Sequence, residues 1–371
     1  MSQLPMLTLS GSPHERGYQH GKALKDGIHR FYEVLMKCTQ SEAALKLTET
    51  DLLAFTGKHG PYAKQYAPDL YEEMEGIAEG AELAFEKVLF INCYDEGRDS
   101  LTVPELAAKL TGQSLPPSVL PLRGCTTFAA FGEATADGKV YIGQGYDVGT
   151  DYEPIIFRIE AWGDEPEQLV YGHPGVCGPS GLNAAGLAIT VSSLKPSDQQ
   201  PGVPMPVVVR KALQQTILSD FIGAIIIAPR SAGQNYTIGA PYAAVNIETS
   251  ATKYDFKYLQ DGVFGHANHY DSPQLQHLDL WPGQAQSTLV RSGRMHQLLK
   301  ARFGKLDIEA LKEVLRDHAN YPNSICRHED PRGGVYSTLS ALIYRPEDRL
   351  MLATYGTPCT SPFQEFTISG A

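Results

Sequence analysis

The periodicity of the sequence changes at a glycine–cysteine pair about a third of the way along the chain, and this change constrains the fold more than any other feature. Before Gly124 the apolar residues recur at helical spacing, whereas after Cys125 they form short runs typical of strands. We therefore predict a helix-rich N-terminal segment followed by strands, two helices and further strands. This order favours stacked sheets with helices outside over a βαβ succession.

The N-terminal segment contains clear helix signals. Ser12, Pro13 and Glu15 supply a hydroxyl cap, a proline at the first helical position and the glutamate of a capping box. Apolar spacing extends this prediction over residues 13–38, within which glycines mark either close helix contacts or weak points. Further helices are predicted over residues 52–55 and 69–81, and prolines and glycines predict an exposed loop over residues 111–121.

The rest of the chain mixes strand and helix patterns. Asp137 and Gly138 predict a hairpin turn between the first two strands, and Asp307 predicts a helix cap. The predicted strands are residues 125–131, 140–142, 155–159, 169–171, 236–238, 243–247, 337–344 and 349–355, with Phe256 in a further strand and a turn then a strand over residues 181–191. The predicted helices are residues 207–219, 289–303 and 308–318.

Composition excludes several classes of function. The chain has 371 residues, which allows one large domain or two intimate ones. Its net charge of -11 and its lack of a basic cluster argue against a nucleic acid or an anionic membrane as partner. The longest apolar run, residues 221–228, is far shorter than the roughly 20 residues that span a bilayer. Six cysteines without a CxxC pair, and no export signal, lead us to expect a cytoplasmic protein with mostly free, buried thiols.

Cys125 is the residue best suited to act as a nucleophile. A thiol reacts mainly as the thiolate and needs a base to take its proton. Cleavage of the bond between Gly124 and Cys125 would expose an α-amino group with a reference pKa of about 7.7 to 8.0, which can accept that proton without a histidine. Gly124 has no Cβ, which permits a strained backbone and an open approach of the sulfur to its carbonyl. The alternative is an ordinary buried strand cysteine, the commoner state of an isolated cysteine.

Several motifs occur along the chain in the same order as in a known enzyme family. Residues 124–127 (GCTT) followed by residues 143–147 (GQGYD) resemble the isopenicillin N acyltransferases, autoproteolytic N-terminal-nucleophile (Ntn) enzymes also called acyl-coenzyme A:6-aminopenicillanate acyltransferases. More distantly, this part is similar to penicillin V acylases and bile salt hydrolases. The other motifs that carry the resemblance are residues 11–21, 76–81, 178–187, 265–270 and 324–328.

The resemblance implies an α+β fold, the four-layer αββα sandwich of Ntn hydrolases. It also implies that residues 1–124 form a helix-rich N-terminal subunit or propeptide, and that residues 125–371 form the catalytic subunit, which begins at the nucleophile Cys125. The two self-cleaved fragments are expected to associate with each other.

Three further residues match positions with roles in the family. Asp147 corresponds to the aspartate that holds the freed α-amino group, Asn268 to the asparagine whose amide binds the oxyanion, and Arg327 to a positive residue near the nucleophile. Each also has a structural alternative, namely a loop-capping aspartate, a turn asparagine and an arginine in an ordinary buried ion pair.

The sequence departs from the family's pattern at two positions. Gly145 and Ser192 stand where relatives often carry asparagine, and the second change removes one candidate oxyanion donor, although a hydroxyl can still donate. Tyr146, Phe128 and Tyr270 are candidates for shaping an apolar acyl pocket, and each can equally be a core residue.

The histidines give only weak evidence for a metal site or for a catalytic Cys/His pair. His266 and His269 are three residues apart, and His318 and His328 lie in a later segment, but the sequence has neither a helical HExxH motif nor a Cys/His quartet. We therefore expect no bound metal. A papain-like pair of Cys125 with His269 or His328 also stays open, without that family's signature around the cysteine.

The expected activity is hydrolysis of small N-acyl compounds through a thioester on Cys125. Water as the acceptor makes an amidohydrolase, whereas an amine as the acceptor makes an acyltransferase that takes acyl-coenzyme A, or an amide, as its acyl donor. The acidic chain shows no phosphate-binding surface for coenzyme A, so we favour the hydrolase and expect no cofactor. An uncleaved, catalytically silent binding or scaffold protein is the alternative from another class.

Overall fold

The structure is a computed structural model that describes residues 3–42, 47–102, 124–149, 151–280, 286–331 and 336–368. The loop predicted over residues 111–121 lies outside these ranges. Within them, every helix is too short or too polar to cross a membrane.

The N-terminal segment is mostly helical, as its periodicity predicts. Ser12 caps the first helix with the predicted capping box, because its hydroxyl accepts from the Glu15 backbone while the Glu15 carboxylate accepts from the Ser12 backbone. The single helix predicted over residues 13–38 is in fact two helices that meet at Leu24. The elements are β1 (Met6–Leu9), α1 (Pro13–Ala23), α2 (Lys25–Glu42), α3 (Glu49–Gly57), α4 (Gly60–Tyr66), α5 (Pro68–Ala81), α6 (Phe85–Asn92) and α7 (Tyr94–Thr102).

The remaining strands form two sheets. The larger sheet is 8-stranded with the order β1-β4-β5-β6-β7-β8-β9-β10, and the smaller is 6-stranded with the order β11-β2-β3-β12-β13-β14. The N-terminal segment enters the larger sheet, because β1 pairs in parallel with β4. The strands are β2 (Gly124–Ala130), β3 (Tyr141–Gly149), β4 (Ile155–Ile159), β5 (Gln168–Gly172), β6 (Ser180–Asn183), β7 (Ala188–Leu194), β8 (Gly233–Ala240), β9 (Ala243–Thr249), β10 (Tyr254–Tyr258), β11 (Val263–His266), β12 (Tyr336–Arg345), β13 (Leu350–Thr354) and β14 (Phe363–Thr367).

Helices cover the outer faces of both sheets. The N-terminal helices, with α8 (Met205–Leu213) and α9 (Leu218–Ile227), share an apolar core with the larger sheet. Helices α10 (Gln286–Ala301) and α11 (Ile308–Leu315) share another with the smaller sheet, and a third core lies between the sheets. The predicted α+β class and the αββα order of layers are therefore confirmed.

Two differences from the predicted elements have local causes. The helix predicted over residues 207–219 ends at Leu213, where the Asn183 side chain donates to the carbonyl oxygens of Leu213 and Gln215, and α9 begins shortly afterwards. Strand β14 was missed because it lies at the edge of its sheet and has no buried face that would produce a clear alternation.

Helices α1 and α5 pack at backbone contact distance because glycines line both. A Cβ at Gly17 would lie 2.0 Å from the carbonyl oxygen of Glu73, and a Cβ at Gly76 would lie 2.3 Å from the carbonyl oxygen of His14. No side chain fits at such distances. Of the two interpretations of the glycines in the first predicted helix, close helix contact is therefore the right one for Gly17.

This close packing buries an ion cluster that joins the N-terminal segment to the rest of the chain. Glu73 of α5 accepts hydrogen bonds from Arg16 Nε at 2.6 Å and from Arg210 Nη1 of α8 at 2.9 Å. Burial raises the pKa of Glu73, but the charges of Arg210 and Arg16 outweigh it and hold the pKa at about 2. Separating the segments would leave buried charges without partners, at a cost of about 3–5 kcal/mol.

Candidate active site

Neighbouring strands place the predicted nucleophile beside its predicted partner. In the antiparallel pair of β2 and β3, Gly124 lies opposite Asp147 and Cys125 lies opposite Tyr146. Strand β12 flanks β3 on its other side, and a register shift directly follows Thr338, which lies opposite Asp147. Thr338 Oγ1 donates to Asp147 Oδ1 at 2.7 Å. The pairing of three strands therefore fixes the carboxylate next to the Gly124–Cys125 bond.

Cys125 is buried, with 8% of its surface exposed. Its backbone N–H donates to Asn268 Oδ1 at 3.0 Å, and its Sγ accepts from Gln144 Nε2 at 3.6 Å. Burial and the nearby Asp147 carboxylate raise the pKa of the thiol to about 12. In the intact chain Cys125 is thus a protonated thiol near neutral pH, and its reactivity depends on a nearby proton acceptor.

Arg291 of α10 connects several groups of the site. Its Nη1 donates to the carbonyl oxygen of Cys125 at 2.6 Å and to Thr126 Oγ1 at 2.7 Å, and its Nη2 donates to Asn268 Oδ1 at 2.9 Å. Burial lowers its pKa to about 10, against the opposing effect of Asp147, so the guanidinium is still charged at neutral pH. No pattern in the sequence predicts this role, because an arginine within a helical pattern is ordinarily a surface residue.

Asp147 is the buried carboxylate of the site. Burial raises its pKa to about 6, although the charges of Arg291 and Arg327 lower it. Its Oδ2 has no hydrogen-bond partner among the described residues. Arg327 lies close enough for its charge to act on Asp147 and Arg291, and its backbone N–H donates to Thr338 Oγ1 at 2.8 Å. The structure therefore brings the predicted Asp147 and Arg327 together.

Gly124 leaves room for two charged groups beside the backbone. A Cβ at this position would lie 3.0 Å from Asp147 Oδ2 and 3.1 Å from Arg291 Nη2. Gly124 is not among the described glycines with positive φ. The prediction of a strained backbone at Gly124 is therefore corrected. The missing Cβ instead permits the close approach of the carboxylate and the guanidinium.

Asn268 contacts Cys125 through its oxygen. Its Oδ1 accepts from the Cys125 backbone and from Arg291, while its Nδ2 donates to the carbonyl oxygen of Ser193 at 3.1 Å. Because two donors point at one atom, the orientation of this amide is well determined. In the intact chain Asn268 thus holds the nitrogen of the Gly124–Cys125 bond, and its role as an oxyanion donor stays a prediction.

Two adjoining cavities open beside Cys125. The first contains Cys125, Asp147 and Asn268 in its wall, and the second is lined mainly by apolar and aromatic residues. Tyr146 lines both. The wall of the first also includes Asp95, Arg98, Ser193 and Lys195. That of the second includes Phe31, Leu35, Ile91, Tyr152, Val176 and Met205, together with the polar residues Asn92, Asp95, Glu96 and His173.

The profile of the acyl-coenzyme A:6-aminopenicillanic acid acyl-transferase family matches residues 135–359. The chain belongs to this family. The acyl-coenzyme A:6-aminopenicillanic-acid-acyltransferase 40 kDa form of Emericella nidulans is 27% identical over 371 residues, which cover 98% of this chain and 95% of that protein. An uncharacterized protein of Archaeoglobus fulgidus is 24% identical over 373 residues, which cover 90% of this chain and 61% of that protein. The resemblance carried by the sequence motifs is therefore confirmed.

Solved structures of acylases are also similar to the chain. Penicillin V acylase from Agrobacterium tumefaciens matches with a TM-score of 0.44 and 14% identity, covering 66% of this chain and 86% of that chain. A mutant conjugated bile acid hydrolase from Clostridium perfringens matches with a TM-score of 0.40 and 10% identity, covering 67% of this chain and 98% of that chain. Likenesses at these scores carry no conclusion about the site. Membership of the acyl-transferase family itself makes the chain an enzyme of acyl transfer or amide hydrolysis in general terms.

Of the three residues predicted to shape the acyl pocket of this acyl-transferase family member, the structure places only Tyr146 at the cavities. Phe128 is fully buried between the smaller sheet and its helices, and Tyr270 is buried with its hydroxyl donating to the Thr249 carbonyl oxygen at 2.7 Å. The pocket assignment of Phe128 and Tyr270 is therefore corrected to core. Ser192 is likewise buried, and its neighbour Ser193 lines the first cavity.

The histidines near Asn268 have partners other than Cys125. His266 pairs with Glu248, with 2.6 Å between Nε2 and Oε1, and His269 Nδ1 lies 2.9 Å from Thr288 Oγ1. In the part of the chain that the structure describes, the hydrogen bonds of Cys125 involve no histidine. The papain-like alternative has no support in these contacts.

Replacing Arg291 with leucine tests the role of its buried charge. We expect Arg291→Leu to lower the free energy of unfolding by about 3–5 kcal/mol, because the buried Asp147 carboxylate loses a compensating charge. Arg294→Leu on the same helix is the matched control. Its Nη2 lies 2.7 Å from Asp317 Oδ2 in a partly exposed ion pair, and we expect a loss of about 1 kcal/mol or less. Denaturant unfolding measures both, and equal losses would contradict the prediction.

Proposed function

We propose that this member of the acyl-transferase family cleaves its own Gly124–Cys125 bond and then hydrolyses small N-acyl compounds through a thioester on Cys125. One observation carries the proposal: the peptide unit before Cys125 is held by Asn268, lies beside the Asp147 carboxylate and has a buried thiol on its C-terminal side. A structural cysteine needs none of these polar groups, each of which is costly to bury.

In the proposed self-cleavage, Sγ of Cys125 attacks the carbonyl carbon of Gly124. The S–C bond forms as the C–N bond breaks, and the thiol proton ends on the departing nitrogen of Cys125. Water then hydrolyses the resulting thioester, which leaves a carboxylate on Gly124 and restores the thiol of Cys125. Asp147 is the proposed proton carrier, because its Oδ2 has no hydrogen-bond partner among the described residues. Its pKa is raised to about 6 but lies below neutral pH, so the carboxylate is mostly ionised there and can accept a proton. Asn268 holds the N–H of Cys125 and Arg291 holds its carbonyl oxygen, so the residue on the C-terminal side of the bond is fixed.

Cleavage supplies the base that the intact thiol lacks. The new α-amino group of Cys125 occupies the position of the present N–H, so Asn268 Oδ1 and the Asp147 carboxylate are the groups that orient it. With a reference pKa of about 7.7 to 8.0, this amine accepts the thiol proton near neutral pH. The thiolate then attacks the substrate's carbonyl, the amine product leaves with a proton, and water releases the acid.

The cavities support an apolar acyl group. The apolar cavity adjoins the one at Cys125 and shares Tyr146 with it, which suits an alkyl or aryl acyl chain with its carbonyl at the sulfur. Acyl transfer to an amine is the second candidate, favoured by the name of the Emericella nidulans relative, whose identity extends over 98% of this chain.

Mass spectrometry of freshly translated protein tests the self-cleavage. We expect the wild-type chain to give two fragments, the larger beginning at Cys125, while Cys125→Ala stays whole and Cys125→Ser cuts slowly. The rate should rise with pH through about 6 and then level off, because only ionised Asp147 accepts the proton. Asp147→Asn should stay uncut. A rate that instead rises tenfold with every pH unit, or an intact chain with full activity, would contradict the mechanism.

Product analysis separates hydrolysis from transfer and from a silent protein. The cleaved protein is incubated with a panel of N-acyl amides of increasing chain length, with and without an added amine. We expect free acid in both arms and a preference for apolar acyl chains, with Cys125→Ala as the inactive control. A new amide as the main product in the amine arm would favour the transferase. A chain that stays uncleaved and turns over no substrate would favour the uncleaved, catalytically silent binding or scaffold protein.

Two replacements of Asn268 separate its possible roles. Asn268→Ala removes both the oxygen and the amide donor, and we expect turnover to fall by about 10²–10³ if the amide stabilises the oxyanion. Asn268→Asp keeps the oxygen that faces Cys125 but loses the donor, so it should be equally impaired in turnover. If Asn268→Asp retains turnover while Asn268→Ala does not, the oxygen matters and the oxyanion role is wrong.

A further inference from the structure

Four sulfur and nitrogen ligands converge on one point at the edge of the smaller sheet. His318, Cys326 and His328 lie in the segment that follows α11, and Cys359 lies between β13 and β14. One ligand atom from each residue lies within 4.8 Å of all the others. We propose that these side chains bind a zinc ion, a site that goes beyond the proposed function and does not depend on it.

The distances match the edges of a tetrahedral zinc site. Cys326 Sγ and Cys359 Sγ each lie 3.6 Å from His328 Nε2, and the Nε2 atoms of His318 and His328 lie 3.0 Å apart. Bond lengths of about 2.3 Å to sulfur and about 2.0–2.1 Å to nitrogen give N···S edges of about 3.6 Å and an N···N edge of about 3.3 Å. Both N···S distances therefore agree with these values, and the N···N distance is shorter by a few tenths of an ångström, while the other three ligand pairs lie within 4.8 Å.

The donor chemistry selects zinc. Two thiolates and two imidazoles make the Cys₂His₂ set that closes a tetrahedron around zinc, with no position left for substrate, so the site is structural. Cys326 is buried, whereas Cys359 and His328 are half-buried and His318 is exposed. The ion thus has a route from solvent, and the chain encloses it from the other side.

The site joins two segments that meet beside the active site. Arg316 Nε already donates to the Pro358 carbonyl oxygen at 2.9 Å, next to the four ligands. Arg327 stands between the ligands Cys326 and His328, and its backbone N–H donates to Thr338 Oγ1, which in turn donates to Asp147. A metal at this point would therefore hold the segment that places Arg327 near the nucleophile.

Metal analysis of the full-length protein, purified with a non-chelating reductant, tests the proposal. We expect about one zinc per chain in the wild type and in the control Cys38→Ser. In Cys359→Ser the zinc content per chain should be lower by about tenfold or more. Cobalt substituted into the wild type should give the strong visible bands of a tetrahedral site and a thiolate charge-transfer band, without any need for a variant to fold. A chelator should lower the melting temperature of the wild type and leave that of Cys359→Ser unchanged.

Three outcomes would overturn the proposal. The first is a wild-type protein without bound transition metal whose cobalt spectrum is that of the hydrated ion. The second is a wild-type mass lower by two hydrogens under the same reducing conditions, with a peptide that joins Cys326 to Cys359 by a disulfide. The third is stoichiometric iron or copper in place of zinc, which would show that the ligands select another ion.

Discussion

The antiparallel pairing of β2 with β3 is the interaction on which the active site depends. It sets Gly124 opposite Asp147. The carboxylate lies so close to the backbone that a Cβ at position 124 would be 3.0 Å from Asp147 Oδ2. A shift of one residue would turn every side chain of either strand to the other face and remove Asp147 from the site. Because both strands lie within the smaller sheet, with β11 and β12 on either side, this register is held from both edges.

The electrostatics of the site follow from that pairing. Two guanidinium groups, of Arg291 and Arg327, act on the Asp147 carboxylate, yet burial still holds its pKa above the ordinary value. The carboxylate is therefore a stronger base than an exposed aspartate, while the thiol beside it is a weaker acid than an exposed cysteine. Arg291 also lies beside Gly124, so a positive charge is already fixed near the proposed cleavage site, and groups fixed before a reaction stabilise developing charge most effectively.

Much of this arrangement could be predicted from local sequence, and the rest depends on distant contacts. The turn at Asp137 and Gly138 predicted that the two strands pair, and the family resemblance, not the strand pattern, placed Asp147 near Cys125. Strand parity could also have corrected Phe128, which is three residues from Cys125 and so faces the opposite side of β2. Arg291 is different, because it lies 166 residues from Cys125 and only the packing of α10 on the smaller sheet brings them together.

His318 and His328 gave only a weak sign of a metal site, and their grouping with Cys326 and Cys359 was missed for the same reason as Arg291. Three of them come from an irregular segment and the fourth from a turn between strands, so no helical or paired spacing marks them as a set. A sequence motif for a metal site requires that the ligands lie close along the chain on one element or turn. Here the return of the chain through β12 and β13 brings Cys359 back to Cys326 and His328, which only the tertiary fold shows.

If the chain is cut at Gly124 as proposed, the contacts of the N-terminal segment favour its staying as a subunit over its leaving as a propeptide. Its strand β1 completes the edge of the larger sheet, and its Glu73 neutralises Arg210, so departure would leave an unpaired strand edge and a buried charge. It also supplies Asp95 and Arg98 to the wall of the cavity at Cys125. If the chain is cut at Gly124 as proposed, both fragments contribute to the wall of the cavity at Cys125.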